Sequence, residues 1–243
     1  KGYNSQYRYH WKSNAAQGNY ISVPGNILQS LYENGHNICF SSYDMNTTDA
    51  DYIVLAGNNN PSTRAQLFIR IHTPWDDGKV YYDIGEGGSS YQRNTTSSGI
   101  SNNELINWCF TRENISSTQM TLKIYKNGTL FNQTTNTIQN FTNSSSSSGF
   151  FIGYNYLFGS GGDDYRFQNK SLEDFRIYDR ALSAEEVEKL YYDQYIQKGS
   201  ISGSTDEYIA FKYNPDTAVS GQTEYNINFP QDTECDILIV GGG

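Results

Sequence analysis

Apolar and polar residues alternate along most of this chain in short runs, each closed by glycine, asparagine, aspartate or proline. Tyr20 to Val23 alternates and stops at Pro24-Gly25. NICFSSYDM and DYIVLAGN follow, then QLFIRIH and KVYYDIG joined by TPWDDG, in which Asp77-Gly78 is a hairpin signal. ELINWCFTRE, MTLKIYKNGTLF with Asn127-Gly128 between its halves, and FFIGYNYLF complete the series. Side chains of a strand point alternately to opposite faces. Period-two runs of this length, with turn residues at steady intervals and no α/β alternation, therefore predict an all-β chain folded as a two-sheet antiparallel jelly-roll sandwich. The exception is residues 168–191, QNKSLEDFRIYDRALSAEEVEKLY. Phe175 and Ile177 alternate with Arg176 and Tyr178, Asp179-Arg180 break the strand, and Ser183 with Glu186 forms a capping box, so one short C-terminal helix is expected from 184 to about 196. Val187, Leu190 and Tyr191 give it an apolar stripe, and its early acids suit the positive end of the helix dipole. Phe175, Ile177, Trp108 and Leu122 are expected in the core.

The closing segment resembles the last strand, turn and helix of laminin-G-like, concanavalin-A-like jelly rolls, which commonly read D-x-x-R-I-Y-D/N-R-A-L-S-x-x-E. The opening NYISVP is similar to that family's Y-I/V-x-V/I-P, and the Trp108 strand followed by LKIYKNG is similar to its Trp-led strand and L-x-I/V-Y-x-N-G. Together these features cover residues 19 to 192. The resemblance implies a jelly roll over 19–197, preceded by an entering segment, 1–18, with a strand around Tyr7 and Tyr9. Asn132 to Gly149 reads as a low-complexity weak strand and loop. QKGSISGSTDE reads as a linker, and EYIAFKY, TEYNINFP and CDILIVGGG read as a small incomplete β extension over 198–243. That extension resembles the start of the glycine-rich β domains of algal giant-virus surface proteins, which implies that the chain is a piece of a longer polypeptide. A start at Lys1 fits an upstream leader or domain having been removed.

The formal charge of −9, with no Lys/Arg cluster, argues against nucleic acid or anionic membrane as a partner. No run approaches the roughly 18 apolar residues of a membrane span, so no membrane insertion is expected. Aromatic residues reach 15%, which suits strands. Three cysteines make no disulfide framework: Cys39 and Cys109 read either as buried thiols or as a bridge between neighbouring strands, with Cys235 left over. Asn-x-Ser/Thr sequons at Asn46, Asn94, Asn114, Asn127, Asn132, Asn140, Asn143 and Asn169 fit a secreted glycoprotein.

Catalysis finds little support. Retaining glycosidases of this architecture draw their carboxylates from an E-x-D-x-x-E strand, which is absent; Asp49 and Asp51 read as turn acids, and His10, His36 and His72 are scattered. Asp163 and Asp164, on the glycine-rich GSGGDDY loop, are hard oxygen donors of the kind calcium takes, and the resemblance implies such rim calcium sites. Asp76 with Asp77, and Asp174, are further candidates. Trp75, Tyr154, Tyr156 and Tyr165 lie beside these acidic turns, where ring faces can meet the C–H face of a sugar, and the Asn58-Asn59-Asn60 turn adds amides. The expectation is a non-catalytic carbohydrate-binding or adhesion module of an extracellular or virion-surface protein, possessing glycan or glycoprotein partners and neighbouring copies in a surface assembly. The alternatives are a glycosylated structural spacer without a ligand and a degenerate glycosidase.

Overall fold

The computed structural model describes residues 11–12, 21–24, 27–44, 53–58, 68–85, 91–96, 100, 104–138, 148–155, 164–165, 170–193, 196–200, 202–203, 207–211 and 236–237. The chain divides into two compact units, Lys1–Tyr191 and Tyr192–Gly243.

In the first unit β1 (Trp11–Lys12), β2 (Ile21–Val23) and a helix α1 (Leu28–Glu33) lead into β3 (His36–Asp44) and β4 (Val54–Asn58). The hairpin of β5 (Phe68–His72) and β6 (Val80–Gly85) precedes β7 (Tyr91–Thr96), β8 (Glu104–Asn114), β9 (Gln119–Lys126) and β10 (Thr129–Thr137). Then come β11 (Ser148–Ile152), the short β12 (Tyr154–Asn155) and β13 (Asp164–Tyr165), β14 (Lys170–Tyr178) and helix α2 (Ala184–Asp193). Two six-stranded antiparallel sheets result, ordered β1-β14-β3-β8-β9-β10 and β2-β11-β4-β5-β6-β7. This is the predicted jelly-roll sandwich.

Alternation explains the packing. Ile38 and Phe40 of β3, Ile106, Trp108 and Phe110 of β8 and Leu122 and Ile124 of β9 meet Ile69, Ile71, Val80, Tyr82, Ile84 and Phe150 of the other sheet in one core, with Phe175 and Ile177 packed against it half-buried. On the outer face of the first sheet a second apolar cluster, Cys39, Cys109, Tyr125, Leu182 and Val187 with Tyr178 and Leu190 against it, docks α2. The capping box forms as read: Ser183 N–H donates to Glu186 Oε2 at 2.9 Å and Glu186 N–H to Ser183 Oγ at 3.2 Å. Asn127 and Gly128 both have positive φ, 51° and 76°, as a tight hairpin turn between β9 and β10 requires. Cys39 and Cys109 face each other across β3 and β8, Cα atoms 4.1 Å apart, and are joined by a disulfide, so the bridge is the correct one of the two readings. Cys235 lies outside the described residues.

Four expectations are corrected. A second helix, α1, exists: its N-cap Ile27 makes no side-chain capping bond and its first turn has no acid, so it carries no start signal. It is held instead from outside, where the buried Arg112 guanidinium donates to the carbonyls of Leu31 and Tyr32 and covers the Tyr32 ring. Residues 132–137, read as a weak strand separate from the Asn127-Gly128 hairpin, are the second half of one strand, β10. FFIGYNYLF does not continue as one strand: Gly153, at φ 80°, ends β11 and β12 leaves to pair with β13. In the second unit, part of the supposed linker is β15 (Ile196–Ser200), paired antiparallel with β16 (Glu207–Phe211), so α2 stops at Asp193 and not near 196. The entering strand around Tyr7 and Tyr9, TEYNINFP and the closing glycines fall outside the described residues.

Candidate functional site

Register places two of the predicted elements on one rim of the second sheet. Ile152, Val54 and Ile71 are aligned across β11, β4 and β5, and β11 and β5 run in the same direction. Gly153 N–H donates to Ile53 O, and Ile53 N–H to Ile71 O, continuing the alignment one step further. The chain therefore leaves β11 for the β12–β13 ribbon at the same sheet end at which it leaves β5 for the Trp75 turn. Two strand spacings, about 10 Å, separate the exits. In the ribbon Tyr154 is the register partner of Tyr165 and Asn155 of Asp164. Tyr156 and Asp163 lie outside the described residues.

The β5–β6 turn is fixed by its own side chains. Trp75 N–H donates to Lys79 O and Gly78 N–H to Trp75 O, both at 2.8 Å, and Gly78 sits at φ 75°. Trp75 is half-buried and meets the buried His72 ring edge-on, centroids 4.4 Å apart. Asp77 Oδ1 accepts the Lys79 N–H at 3.0 Å, and its Oδ2 accepts the Tyr81 hydroxyl at 2.6 Å. The Tyr81 bond holds the Asp77 carboxyl down at about 2, while burial first, and then the same bond, pushes the Tyr81 phenol up to about 12. The Arg93 guanidinium lies 4.5 Å above the Tyr81 ring.

These contacts decide two metal candidates. Both oxygens of Asp77 are committed to the turn and to the Lys79 ammonium at 3.1 Å, and both oxygens of Asp174 accept from Arg176, at 2.8 and 2.7 Å, so each acid is a structural acceptor. Among the described residues no three His, Cys, Asp or Glu side chains gather as a metal site would need.

Four sequons lie in described residues, and their nitrogens differ. Asn94 is wholly buried where β7 meets β9 and β10, its Nδ2 donating to Leu122 O at 2.9 Å and to Asn132 O. Asn132 Nδ2 donates at 2.8 Å both to Asn94 Oδ1 and to Thr95 O. These amides stitch the two sheets together, and a glycan on Asn94 is incompatible with that packing. Asn114 is exposed, with one bond to Glu33 O, and Asn127 is held through its oxygen, which accepts the Asn107 N–H at 2.9 Å. In protein from a secretory host, glycopeptide mapping is expected to find sugar at Asn114 and Asn127 and none at Asn94 or Asn132. Occupied Asn94 in folded protein would contradict its placement. Asn46, Asn140, Asn143 and Asn169 lie outside the described residues.

Sequence reasoning missed Arg70, Tyr81, Asp83 and Arg93, and set His72 aside as a scattered histidine; the five share the outer face of β5, β6 and β7. The trace of the four positions on β5 and β6 is a polar or charged residue at alternate positions of FIRIH and VYYDIG, and YQRNTT carries none for Arg93.

An antiparallel two-sheet jelly roll with turns gathered at its rim defines a lectin-like class. A sequence profile for the concanavalin A-like lectin/glucanases superfamily matches residues 11–188, and the chain belongs to that superfamily. Among curated protein sequences none matches. The carbohydrate-binding module CBM40 of a Ruminococcus gnavus IT-sialidase, solved with α2,3-sialyllactose, is similar at a TM-score of 0.53 and 14% identity, over 74% of this chain and 100% of that one. The receptor-binding domain of a botulinum neurotoxin C/D mosaic is similar at 0.48 and 16% identity, over 72% of this chain. A heptameric pentraxin from Limulus polyphemus is similar at 0.45 and 14%, over 74% of this chain and 83% of that one. The chain spans 40% of the neurotoxin domain's length. At such identities the likeness is one of fold. Among the described residues no helix is long and apolar enough to cross a membrane.

Proposed function

We propose that this chain is a non-catalytic carbohydrate-binding or adhesion module of an extracellular or virion-surface protein. The observation that carries the reading is the rim itself: Trp75, half-buried on a turn locked by Asp77, at the sheet end to which the Tyr154–Tyr165 ribbon also returns. A fixed ring loses little freedom when a sugar stacks on it. The superfamily supports the same use, since a sialidase module of this fold was solved holding sialyllactose. The spacer alternative predicts sugars covering this rim; among the described residues the accessible sequons are the exposed Asn114, on β8, and the half-buried Asn127, on the β9–β10 turn, both of the other sheet. Asp163 and Asp164, hard oxygen donors in sequence with the ribbon, are the residues that would hold calcium in this reading.

The test is an array of immobilised glycans probed with the full chain and with Trp75→Ala. Wild type is expected to bind at least one glycan, and Trp75→Ala to lose roughly tenfold in affinity, the worth of one aromatic contact. Melting runs with calcium and with chelator give a second arm. A bound ion at a hundredfold excess over its Kd stabilises the fold by about 2.7 kcal/mol. A blank array with folded protein would put the spacer ahead, and identical melts in both conditions would remove the calcium.

A further inference from the structure

On the outer face of the first sheet the Cys39–Cys109 disulfide lies in an apolar layer that α2 completes. The two cysteines are register partners of β3 and β8, and Tyr125 of β9 is next in their row. Leu182 and Val187 close over them, with Tyr178 and Leu190 at the margin. Cys39 is 5% exposed and Cys109 2%, so a reductant does not reach the bond while α2 is seated. The neighbouring row holds Asn37, also buried. Its Oδ1 accepts the Leu182 N–H at 2.7 Å, and its Nδ2 donates to Cys109 Sγ at 3.2 Å, closer than to Cys39 Sγ at 3.9 Å. One amide thus ties the disulfide to the turn that starts the helix.

The helix is the part of this layer able to open by itself. It has ten residues, too few to hold a helix alone in water, so its order rests on docking and on the Ser183–Glu186 cap. The floor of the layer is hydrogen-bonded into β3, β8 and β9 of a six-stranded sheet. Local opening therefore lifts α2 and leaves the strands in place. Once it is lifted, a thiolate of a dithiol reductant attacks Cys39 Sγ, the more exposed sulfur, and the S–S bonding pair departs on Cys109 Sγ, where the Asn37 N–H meets the charge. The second thiolate of the reductant then displaces Cys39 from the mixed disulfide. Cys39 and Cys109 gain two electrons and two protons, and the dithiol is oxidised to a disulfide. Two separate thiols fill more space than the bond did, in a layer that is already packed.

We propose that Cys39–Cys109 and α2 form a redox-sensitive latch: the helix undocks to admit a dithiol, and the reduced protein holds α2 loosely while the sandwich stays folded. The latch goes beyond the glycan-binding reading and does not depend on what the rim binds.

The experiment follows reduction of the full chain by excess dithiothreitol at about pH 8, where part of the reagent is thiolate. Samples are alkylated with N-ethylmaleimide and the Cys39 and Cys109 peptides are read by mass spectrometry, which separates them from Cys235. Ser183→Ala removes the helix cap and is expected to speed reduction roughly fivefold. Ile69→Val, a change of similar cost in the core wall of the other sheet, should leave the rate unchanged. Equal acceleration by both variants would mean that the bond is reached through global unfolding, and acceleration by neither that it is attacked beneath a seated helix; either overturns the latch. Hydrogen exchange of oxidised and reduced wild type gives an arm that needs no variant. With both thiols labelled, the amides of Val187 to Tyr191 are expected to exchange roughly tenfold or more faster, while those of β8 and β9 keep their protection. Unchanged α2 amides would overturn the latch. Protection lost throughout the first unit would also overturn it and make the bond a staple of the whole sandwich.

Discussion

Acid is expected to weaken the folded state from pH 6.5 downward, by up to about 1.4 kcal/mol per pH unit, and the group responsible is His36. Its ring is fully buried: Nδ1–H donates to Leu31 O at 3.0 Å, and Nε2 accepts the Tyr82 hydroxyl at 2.7 Å. Burial, and secondarily the Arg112 charge, hold its pKa at about 3 against an ordinary 6.5. The unfolded chain takes up a proton near 6.5 while the folded chain does not until about 3. Stability is thus complete above pH 6.5 and is lost as pH falls between those values. Asp77 and Glu186, each held near 2 by a hydrogen bond against ordinary values of 3.8 and 4.5, add their own losses from about pH 5 downward. Urea titrations from pH 7 to about pH 5.5 read His36 ahead of those acids. A slope near zero there, or an unchanged slope in His36→Gln, would contradict its burial as a neutral ring.

Gly35→Ala is expected to destabilise the first unit by about 2–4 kcal/mol, the sum of left-handed strain and overpacking. Gly35 turns the chain from α1 into β3 at φ 76°, and a Cβ there would stand 2.5 Å from the Arg112 carbonyl oxygen. That oxygen is backbone of a central strand and cannot move away. Gly128 has the same φ, but its added Cβ would meet the Tyr191 Cβ at 3.0 Å, half an ångström or so farther off than the contact at Gly35 and against carbon of a helix rather than the backbone oxygen of a central strand. Gly128→Ala should therefore cost less than Gly35→Ala by equilibrium unfolding. Equal costs would mean that strain alone, and not the close approach of β8, sets the penalty.

Strands with an apolar side were legible because alternation is a direct consequence of one buried face. The β8 and β9 core positions, the Asn127-Gly128 turn and the Ser183–Glu186 cap needed nothing beyond local chemistry. β7, YQRNTT, was not legible and the far half of β10 only as a weak strand, because the inward residue at their meeting point is Asn94. It is satisfied by hydrogen bonds to Leu122 and Asn132, so no apolar period appears. Helix α1 was missed for a related reason, since its end is held by Arg112, distant in sequence. The Trp75 turn could be read as a candidate from composition. Its alignment with the β12–β13 ribbon depends on how β11, β4 and β5 pair, which a single sequence does not print. Arg70, Asp83 and Arg93 were invisible as a set because each lies on a different strand.

Amide chemical-shift mapping tests most directly whether the Trp75 rim is the binding face. The full chain, isotopically labelled, is titrated with sialyllactose and in turn with lactose to roughly 10 mM, enough to detect even millimolar affinity. Saturating shifts are expected at Thr73 to Tyr81 and at Tyr154 and Tyr165. Spectra unchanged with both sugars, or shifts confined to the outer face of the other sheet around Tyr125 and α2, would contradict it.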